Sequence, residues 1–386
     1  ETRKTFFKER NPFGMGSDQV IYFRADGNSE IATGHLVRCL SIARALRYEL
    51  AKPAGPCRDI CFLVSDGESK ELLNGFFDFP EEFAIRILET GSYDAPMTEL
   101  PQLLSLGAHT CSQKPLLFVD SYFVTKAYFE QAGRSFRIAY IDDVRAQDFP
   151  LDYVINYDVL SKDTLAEYTR FYSSANTRLL GSSYAPLRPQ FWHPPGFLLP
   201  RDPSFHILVA SGGSDPYHTT RDLVSSLLHR LPENCIIHAL IGRLNPDCEE
   251  LKQLSLTAKG PGLILHENVL DMASLMASCQ LAISAAGTTL YELCAMGIPT
   301  VSFAIADNQL PSACAFDHAG AIPFLGDVRS SGEEVIKKAA SWAASKICQT
   351  EYSSLLSQSR LMQSLVDGQG ALRIAKALLS PSHPNT

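Results

Sequence analysis

No stretch of this sequence approaches the roughly 20 consecutive apolar residues that cross a bilayer, which argues against a spanning helix. There is no basic run either. The formal charge is -8 with Lys and Arg scattered, so an electrostatic nucleic-acid surface is not expected, although a local site for a small anion is. The ten cysteines include no C-x-x-C pair; Cys39, Cys61, Cys235, Cys279 and Cys294 lie singly in apolar segments. That usage reads as buried free thiols in a reducing compartment, hence a cytoplasmic protein, and not as a disulfide framework or zinc site. A spaced D-x-D is absent, so no metal is expected, and no cofactor is called for. Repeats of solenoid period and low-complexity tracts are also missing. The opening "ETRKTFFKERNPFGMGSDQ" has no apolar core and no initiator Met. Residues 1–19 are therefore set aside as a leader or cut remnant, which keeps open a domain excised from a fusion with another enzyme.

What is present is a rhythm of short apolar runs, Gly-containing turns and helical patterns. The length of 386 residues suggests two domains. In the first half the strand-like runs are "QVIYFRA", "DICFLVS", "FAIRILE", "KPLLFVDSY" and "RIAYIDD". A first helix from about His35 to Leu50 places Leu36, Cys39, Leu40, Ala43, Leu46 and Leu50 on one face. Runs this uniformly apolar suit a parallel sheet covered on both sides. Residues 186–204 contain "PLRPQFWHPPGFLLPRDP" (Pro186 to Pro203) and read as a Pro-rich linker. The rhythm restarts with "FHILVASGGSD", "CIIHALIG", "GLILHENV", "LAISAAGTT" and "PTVSFAI". The expectation is an α/β protein with two doubly wound Rossmann-like domains, 20–185 and 205–366, facing across a cleft, followed by a C-terminal helix and tail over 367–386. The last helix, near Ala371 to Leu379, could pack on either domain.

Four loops carry polar chemistry. In "RADGNSEIATGHLVRCL" the loop after the first strand holds Asp26, Asn28, Glu30, Thr33 and Gly34, and His35 stands where a helix starts. The positive end of the helix dipole favours a neutral imidazole there, the form a general base needs. The plainer reading makes Thr33 an N-cap and His35 an ordinary first-turn residue. In "LLFVDSY", Asp120 and Tyr122 close a strand at the same edge, where Asp120 could equally be a helix cap. Asp142 and Asp143 in "YIDDV" point to opposite sides of an extended chain and are not expected to act as a close pair. The third loop, Ser211, Gly212, Gly213, Ser214 and Asp215, could bring backbone N–H groups and a helix dipole to a phosphate, but has no Walker lysine. In the fourth, Gly287, Thr288 and Thr289 open a helix suited to a pyrophosphate. Glu292 there fits either a capping box with Thr289 or an acceptor for a ribose diol. After the next strand come Asp307, Asn308 and Gln309, suited to a polyhydroxylated ligand or to a plain turn.

The segments "FRADGNSEIATGHLVRCLSIA", "FVDSY", "IDD", "LLGSSYAPLRPQF", "VASGGSDP" and "MASLMASCQLAISAAGTTLYELCAMGIPTVSFAIADNQ" occur in an order and spacing that resemble a known family. It is the UDP-2,4-diacetamido-2,4,6-trideoxy-β-L-altropyranose hydrolase family of bacterial nonulosonic (pseudaminic-type) acid biosynthesis. More distantly, the second half looks like the peptidoglycan N-acetylglucosaminyltransferase; both have GT-B architecture. The resemblance runs from Val20 to about Val366. It implies metal-independent hydrolysis of a UDP-sugar with inversion, water being activated by His35. Tyr122 and Asn308 would hold the sugar or diphosphate, and Arg24 and Asp26 would lie near the sugar together with the Gly34 turn. The "SGGSD" and "AAGTTLYE" loops would bind UDP, with Glu292 at the ribose. Ala32 replaces the glycine the family usually places before Thr-Gly-His.

Two other readings stay open. A glycosyltransferase of the same architecture would pass the sugar to an acceptor and favour an apolar or basic patch on the first domain, for which "LLNGFFDFPEEF" (Leu72 to Phe83) is the one candidate. A non-catalytic nucleotide-sugar-binding subunit would have lost the first-domain polar loop, which is present here.

Overall fold

The computed structural model describes residues 20–380 apart from 29–30, 32, 52–57, 77–82, 108–113, 146, 196, 198–203, 243–244 and 349–351. Ala32, Glu30 and part of the 72–83 segment thus lie outside the described residues. The chain divides into two compact units: one runs to Tyr157 and takes in Lys162–Leu180 and the chain from Ala371, and the other comprises Asp158–Ser161 and Gly181–Gly370.

Among the described residues unit 1 is built on seven strands: β1 (Val20–Ala25), β2 (Asp59–Val64), β3 (Ala84–Ile87), β4 (Leu116–Asp120), β5 (Arg137–Ile141), β6 (Tyr153–Asn156) and β7 (Thr177–Leu180). All pair in parallel, in the order β3-β2-β1-β4-β5-β6-β7. Its helices are α1 (Gly34–Leu50), α2 (Gly67–Gly75), α3 (Leu100–Gly107), α4 (Lys126–Ala132) and α5 (Lys162–Phe171). Every residue of β1 and β4 is buried, as their unbroken apolar runs require of strands covered on both faces. Phe23 stands in register with Phe62 and Phe118 on the flanking strands, with ring centroids 5.2 and 5.1 Å away. The three rings join the central strands on one face.

Unit 2 has six parallel strands, β8 (Phe205–Ala210), β9 (Cys235–Ile241), β10 (Gly262–Glu267), β11 (Leu281–Ala285), β12 (Thr300–Ala304) and β13 (Phe324–Asp327), in the order β10-β9-β8-β11-β12-β13. Among the described residues its α-helices are α6 (Thr219–Arg230), α7 (Cys248–Thr257), α8 (Met272–Ala277), α9 (Thr288–Met296), α10 (Leu310–His318), α11 (Val328–Ile347) and α12 (Ser353–Leu365). One sheet face packs Ile207, Val209, Ile237 and Ile283 against Leu223, Leu227, Val335 and Ala339 of α6 and α11. Helix α13 (Gly370–Leu379) falls almost wholly in unit 1.

The Pro-rich stretch, expected as an interdomain linker, is an ordered part of unit 2. Its described residues fall in unit 2: Phe191 and Trp192 are buried, the Trp192 indole N–H donates to the Leu187 carbonyl at 2.9 Å, and Gln190 Oε1 accepts from the Ala273 N–H at 2.9 Å. Gly368 lies so close that a Cβ on it would sit 1.9 Å from the Phe191 carbonyl oxygen, and its φ of 82° is one that side chains resist. The eight described cysteines are free thiols, with Cys39, Cys61, Cys235, Cys279 and Cys294 buried. Among the described residues no helix is long and apolar enough to cross a membrane.

In each sheet the strand order reverses once, between β1 and β4 and between β8 and β11. Ligands of open α/β sheets bind beyond the carboxyl ends of the strands at such a switch point. The loops singled out in the sequence follow β1 and β4 in one unit, and β8 and β11 in the other.

Candidate functional site

In unit 1, β1 and β4 are in register at Ala25 and Asp120, so the loop after β1 and the end of β4 reach the same edge. Thr33 is the N-cap of α1 but its side chain makes no cap hydrogen bond, and exposed Gly34 opens the helix. His35, the second residue of α1, is only 6% exposed, and its Nδ1 lies 2.5 Å from Oδ1 of Asp120. Burial opposes ionisation of Asp120, but the Arg38 guanidinium and His35 outweigh it and hold the carboxyl down at about 2. An ionised carboxylate has no proton to offer, so the hydrogen on that line sits on Nδ1. In the neutral imidazole this leaves the lone pair on Nε2, which has no partner among the described residues.

Asp26, Ile31, His35, Tyr93, Asp120, Ser121, Tyr122 and Phe123 line a small pocket of about 10 Å³, room for roughly one water. Tyr122 sets its ring edge-to-face with the His35 imidazole at 4.6 Å, is 45% exposed, and donates its hydroxyl to Asp143 at 3.2 Å. The structure thus gathers His35, Asp26 and Tyr122. Arg24 is a correction: it is 2% exposed and its donors are committed to Asp26 (2.6 Å) and Glu99 (2.8 and 2.9 Å), so it fixes Asp26 from beneath and does not face a sugar. Removing one member of such a buried cluster leaves a bare charge and costs about 3–5 kcal/mol.

Sequence reading missed Arg38 altogether and the role of Asp120, which it had placed at this edge. Asp120, considered as a helix cap, instead orients the histidine. Arg38, one turn beyond His35, carries a buried guanidinium in an otherwise apolar stripe; that placement was the available signal. It donates to Asp120 from Nε (2.5 Å) and Nη2 (2.6 Å), and from Nη1 to Asp143 (2.6 Å) and the Tyr157 hydroxyl (2.8 Å). Asp142 and Asp143 do diverge: Asp142 accepts from the Tyr172 hydroxyl and the N–H groups of Val144 and Arg145.

Unit 2 offers a different surface. After β8, Gly212 takes φ 88°, and a Cβ on Gly242 would fall 2.1 Å from the Gly213 carbonyl oxygen, so the β9 loop presses directly on the glycine turn. Gly212, Gly213 and Ser214 are exposed; Ser211 is buried with its hydroxyl unpartnered among the described residues. The dipole of α6 is not free for a phosphate, contrary to expectation. Buried Asp215 already accepts from the N–H groups of Thr219 and Thr220 at 3.0 and 2.7 Å.

Helix α9 is open where α6 is closed. Its N-cap is Gly287, with no side-chain cap and no acidic residue in the first turn, and Thr288 is exposed. The first N–H groups of a helix lack i−4 partners; here Leu290 N–H turns back to the Gly287 carbonyl at 3.0 Å, and the uncapped first turn remains a setting that attracts an anion. The capping box read at Thr289 and Glu292 is absent because the helix starts at Thr288, two residues out of register with that motif. Glu292 is 8% exposed and its Oε1 accepts from Arg188 Nε and Nη2 at 3.0 and 2.7 Å. Burial pushes its carboxyl up and Arg188 pulls it back. Of the three polar residues after β12, Asn308 is exposed. Asp307 is drawn to Arg329 at 2.7 Å, and Gln309 Oε1 accepts from the Ile305 N–H at 3.0 Å, so these two brace the loop. Among the described residues no three His, Cys, Asp or Glu side chains are placed to hold a metal.

No family model matches the chain. Over 214 residues, 54% of this chain, it is 30% identical to the spore coat polysaccharide biosynthesis protein SpsG of Bacillus subtilis, and it covers 60% of that relative. A 53-residue stretch, 14% of the chain, is 47% identical to the pseudaminic acid cytidylyltransferase and UDP-2,4-diacetamido-2,4,6-trideoxy-β-L-altropyranose hydrolase of Helicobacter pylori, 10% of whose length it covers. The chain therefore spans less than two thirds of either curated relative. Among solved structures, MurG of Acinetobacter baumannii matches with a TM-score of 0.64 at 12% identity, covering 93% of this chain and 99% of that one. Two parallel-sheet α/β units in a GT-B-like fold are what this chain shares with it.

Proposed function

We propose that the protein hydrolyses a UDP-linked amino sugar, of the diacetamido-trideoxy class, to free sugar and UDP. The observation that carries this reading is the His35–Asp120 pair, whose geometry leaves a lone pair on Nε2 at a pocket on the unit 1 switch point. A water there gives its proton to Nε2 as its oxygen bonds to the anomeric carbon. The bond from that carbon to the UDP oxygen breaks with its electron pair, inverting the centre. Unit 2 is assigned the nucleotide: the uncapped end of α9 and the Ser211–Ser214 turn take the diphosphate, whose charge is met by N–H groups, so departure of UDP calls for no metal. Tyr122 and Asn308 are assigned to the sugar, and Glu292 to the ribose, reached through the oxygen that Arg188 leaves. The named activity of the Helicobacter pylori relative and the polysaccharide role in the name of the Bacillus subtilis relative support this reading.

The test is UDP release across a panel of UDP-linked diacetamido sugars, with and without sugar or lipid acceptors. Release that needs only water supports hydrolysis. Release that appears only with an acceptor would make the protein a glycosyltransferase, and no turnover of any UDP-sugar would defeat the reading.

A further inference from the structure

The His35–Asp120 pair raises a difficulty that the site must solve. A buried carboxylate 2.5 Å from an imidazole holds the ring in place, but it also favours the imidazolium, which cannot take a proton from water. Charge on the other side of the carboxylate decides between those outcomes. Arg38 supplies it: Nε and Nη2 grip both oxygens of Asp120, and Nη2 lies 3.0 Å from Nδ1 of His35. Since a guanidinium has only hydrogens to give, it cannot accept from the ring, and its cation is spent on the carboxylate while facing the imidazole.

We propose that Arg38 is a positioning residue that commits Asp120 to the Nδ1–H of His35 and opposes a second proton on the ring, so that Nε2 is the basic nitrogen offered to the pocket. The inference rests on the hydrolase reading for its consequence, not for its geometry. The groups around the imidazole are Asp120 and Tyr122 from the end of β4, Arg38 from α1, and Asp26 and Tyr93 across the pocket. Behind them, Cys39 has its thiol 3.8 Å from Asp120, and Asp143 and Tyr157 take the Nη1 of Arg38. Arg38 is the cation in this set. Because Asp143 also accepts from Tyr122, the same guanidinium sets both the base and the tyrosine beside it.

The experiment has two arms. On the wild-type chain, nitrogen-15 NMR of the imidazoles, with His35 assigned through His35→Gln, reads the tautomer directly. The expected result is Nδ1–H with an unprotonated Nε2, and an Nε2–H tautomer overturns the proposal. In the second arm, Arg38→Met and Arg38→Lys are compared by the pH profile of kcat/KM for UDP release. The Met variant removes the cation, and its acid limb should move up by about 1 unit or more. The Lys variant keeps the cation but loses the fork, so its limb should stay while kcat falls about 10-fold or more. A merely structural Arg38 would lower kcat in both variants without separating the limbs, which also overturns the proposal. If the Met variant fails to fold, Arg38→Gln, which also removes the cation, takes its place in the comparison with Lys. If the wild type releases no UDP, the hydrolase reading falls, while a nitrogen-15 pH titration of His35 in the wild type and the cation-free variant still tests Arg38.

Discussion

The two switch points have the same topology and opposite chemistry. That of unit 1 is crowded with fixed charges: Arg38 and Asp120 meet one imidazole, Asp143 holds Arg38 from behind, and Arg24, Asp26 and Glu99 form a second buried cluster. That of unit 2 presents glycines, hydroxyls and an uncapped helix end, and its charged residues are paired off to the side, Glu292 with Arg188 and Asp307 with Arg329. The contrast follows from what each site is asked to do in the proposed reaction. Moving a proton needs a side chain held in one orientation by neighbours that are themselves held, whereas binding a diphosphate needs many weak donors that a backbone supplies without extra charge.

The comparison can be broken most severely at the base. His35→Ala should lower UDP release by about 10²- to 10⁴-fold while UDP affinity, measured by calorimetry, stays within a small factor. Equal losses in both would merge the two sites into one. Asp120→Asn should approach the same loss, since an amide no longer dictates which ring nitrogen carries the proton. The converse change is Gly287→Asp. A Cβ there meets nothing nearer than the Gln309 side-chain nitrogen at 3.9 Å, so the new carboxylate can cap α9. UDP affinity should drop by about 10-fold or more, while stability holds or rises by a few tenths of a kcal/mol. Tighter UDP binding in that variant would remove α9 as the diphosphate site.

A smaller effect is expected from Glu292→Gln. It leaves Arg188 facing a neutral partner in a partly buried place and should cost roughly 1–3 kcal/mol in urea unfolding, together with a raised KM if the ribose is bound there. An unchanged KM with lost stability would confine Glu292 to bracing Arg188. The smallest concerns a feature of unit 2 with no counterpart among the described residues of unit 1. His206, His238 and His266 hydrogen-bond in series across β8, β9 and β10, at 2.8 and 2.9 Å. Burial, then the neighbouring imidazoles, lowers the His238 pKa from 6.5 to about 4. Between those values the unfolded chain binds the proton more readily than the folded one. This contribution therefore destabilises the fold progressively as pH falls from 6.5 toward 4. Tm measured at pH 8 and pH 5 should fall less in His238→Gln than in wild type.

Much of the fold was legible because central parallel strands must be apolar on both faces. Runs such as "LLFVD" and "LAISA" have no other soluble use in a chain of this rhythm. The edge was harder. β6 and β7 (Tyr153–Asn156 and Thr177–Leu180) and β13 (Phe324–Asp327) are four residues each, and a period of two cannot be told from chance over that length. The loops at the switch points could be located by their Gly and polar residues, but what they touch could not. Asp120 looked like a cap because nothing local shows that Arg38, 82 positions earlier, would meet it. Asp215 looked like part of a phosphate loop because only the folded turn carries its carboxylate onto α6.

By itself, then, the order of residues determined the alternation of strands and helices, the two-unit division in outline, and the edge of each sheet where chemistry could gather. Periodicity and turn chemistry act within a few residues, so they are written locally. Only the tertiary structure decided which nitrogen of His35 meets Asp120, which helix end is already capped, and which carboxylates are matched to arginines. Those outcomes depend on contacts between strands and helices far apart in the chain, where a shift of one ångström decides whether a charge is met or left bare.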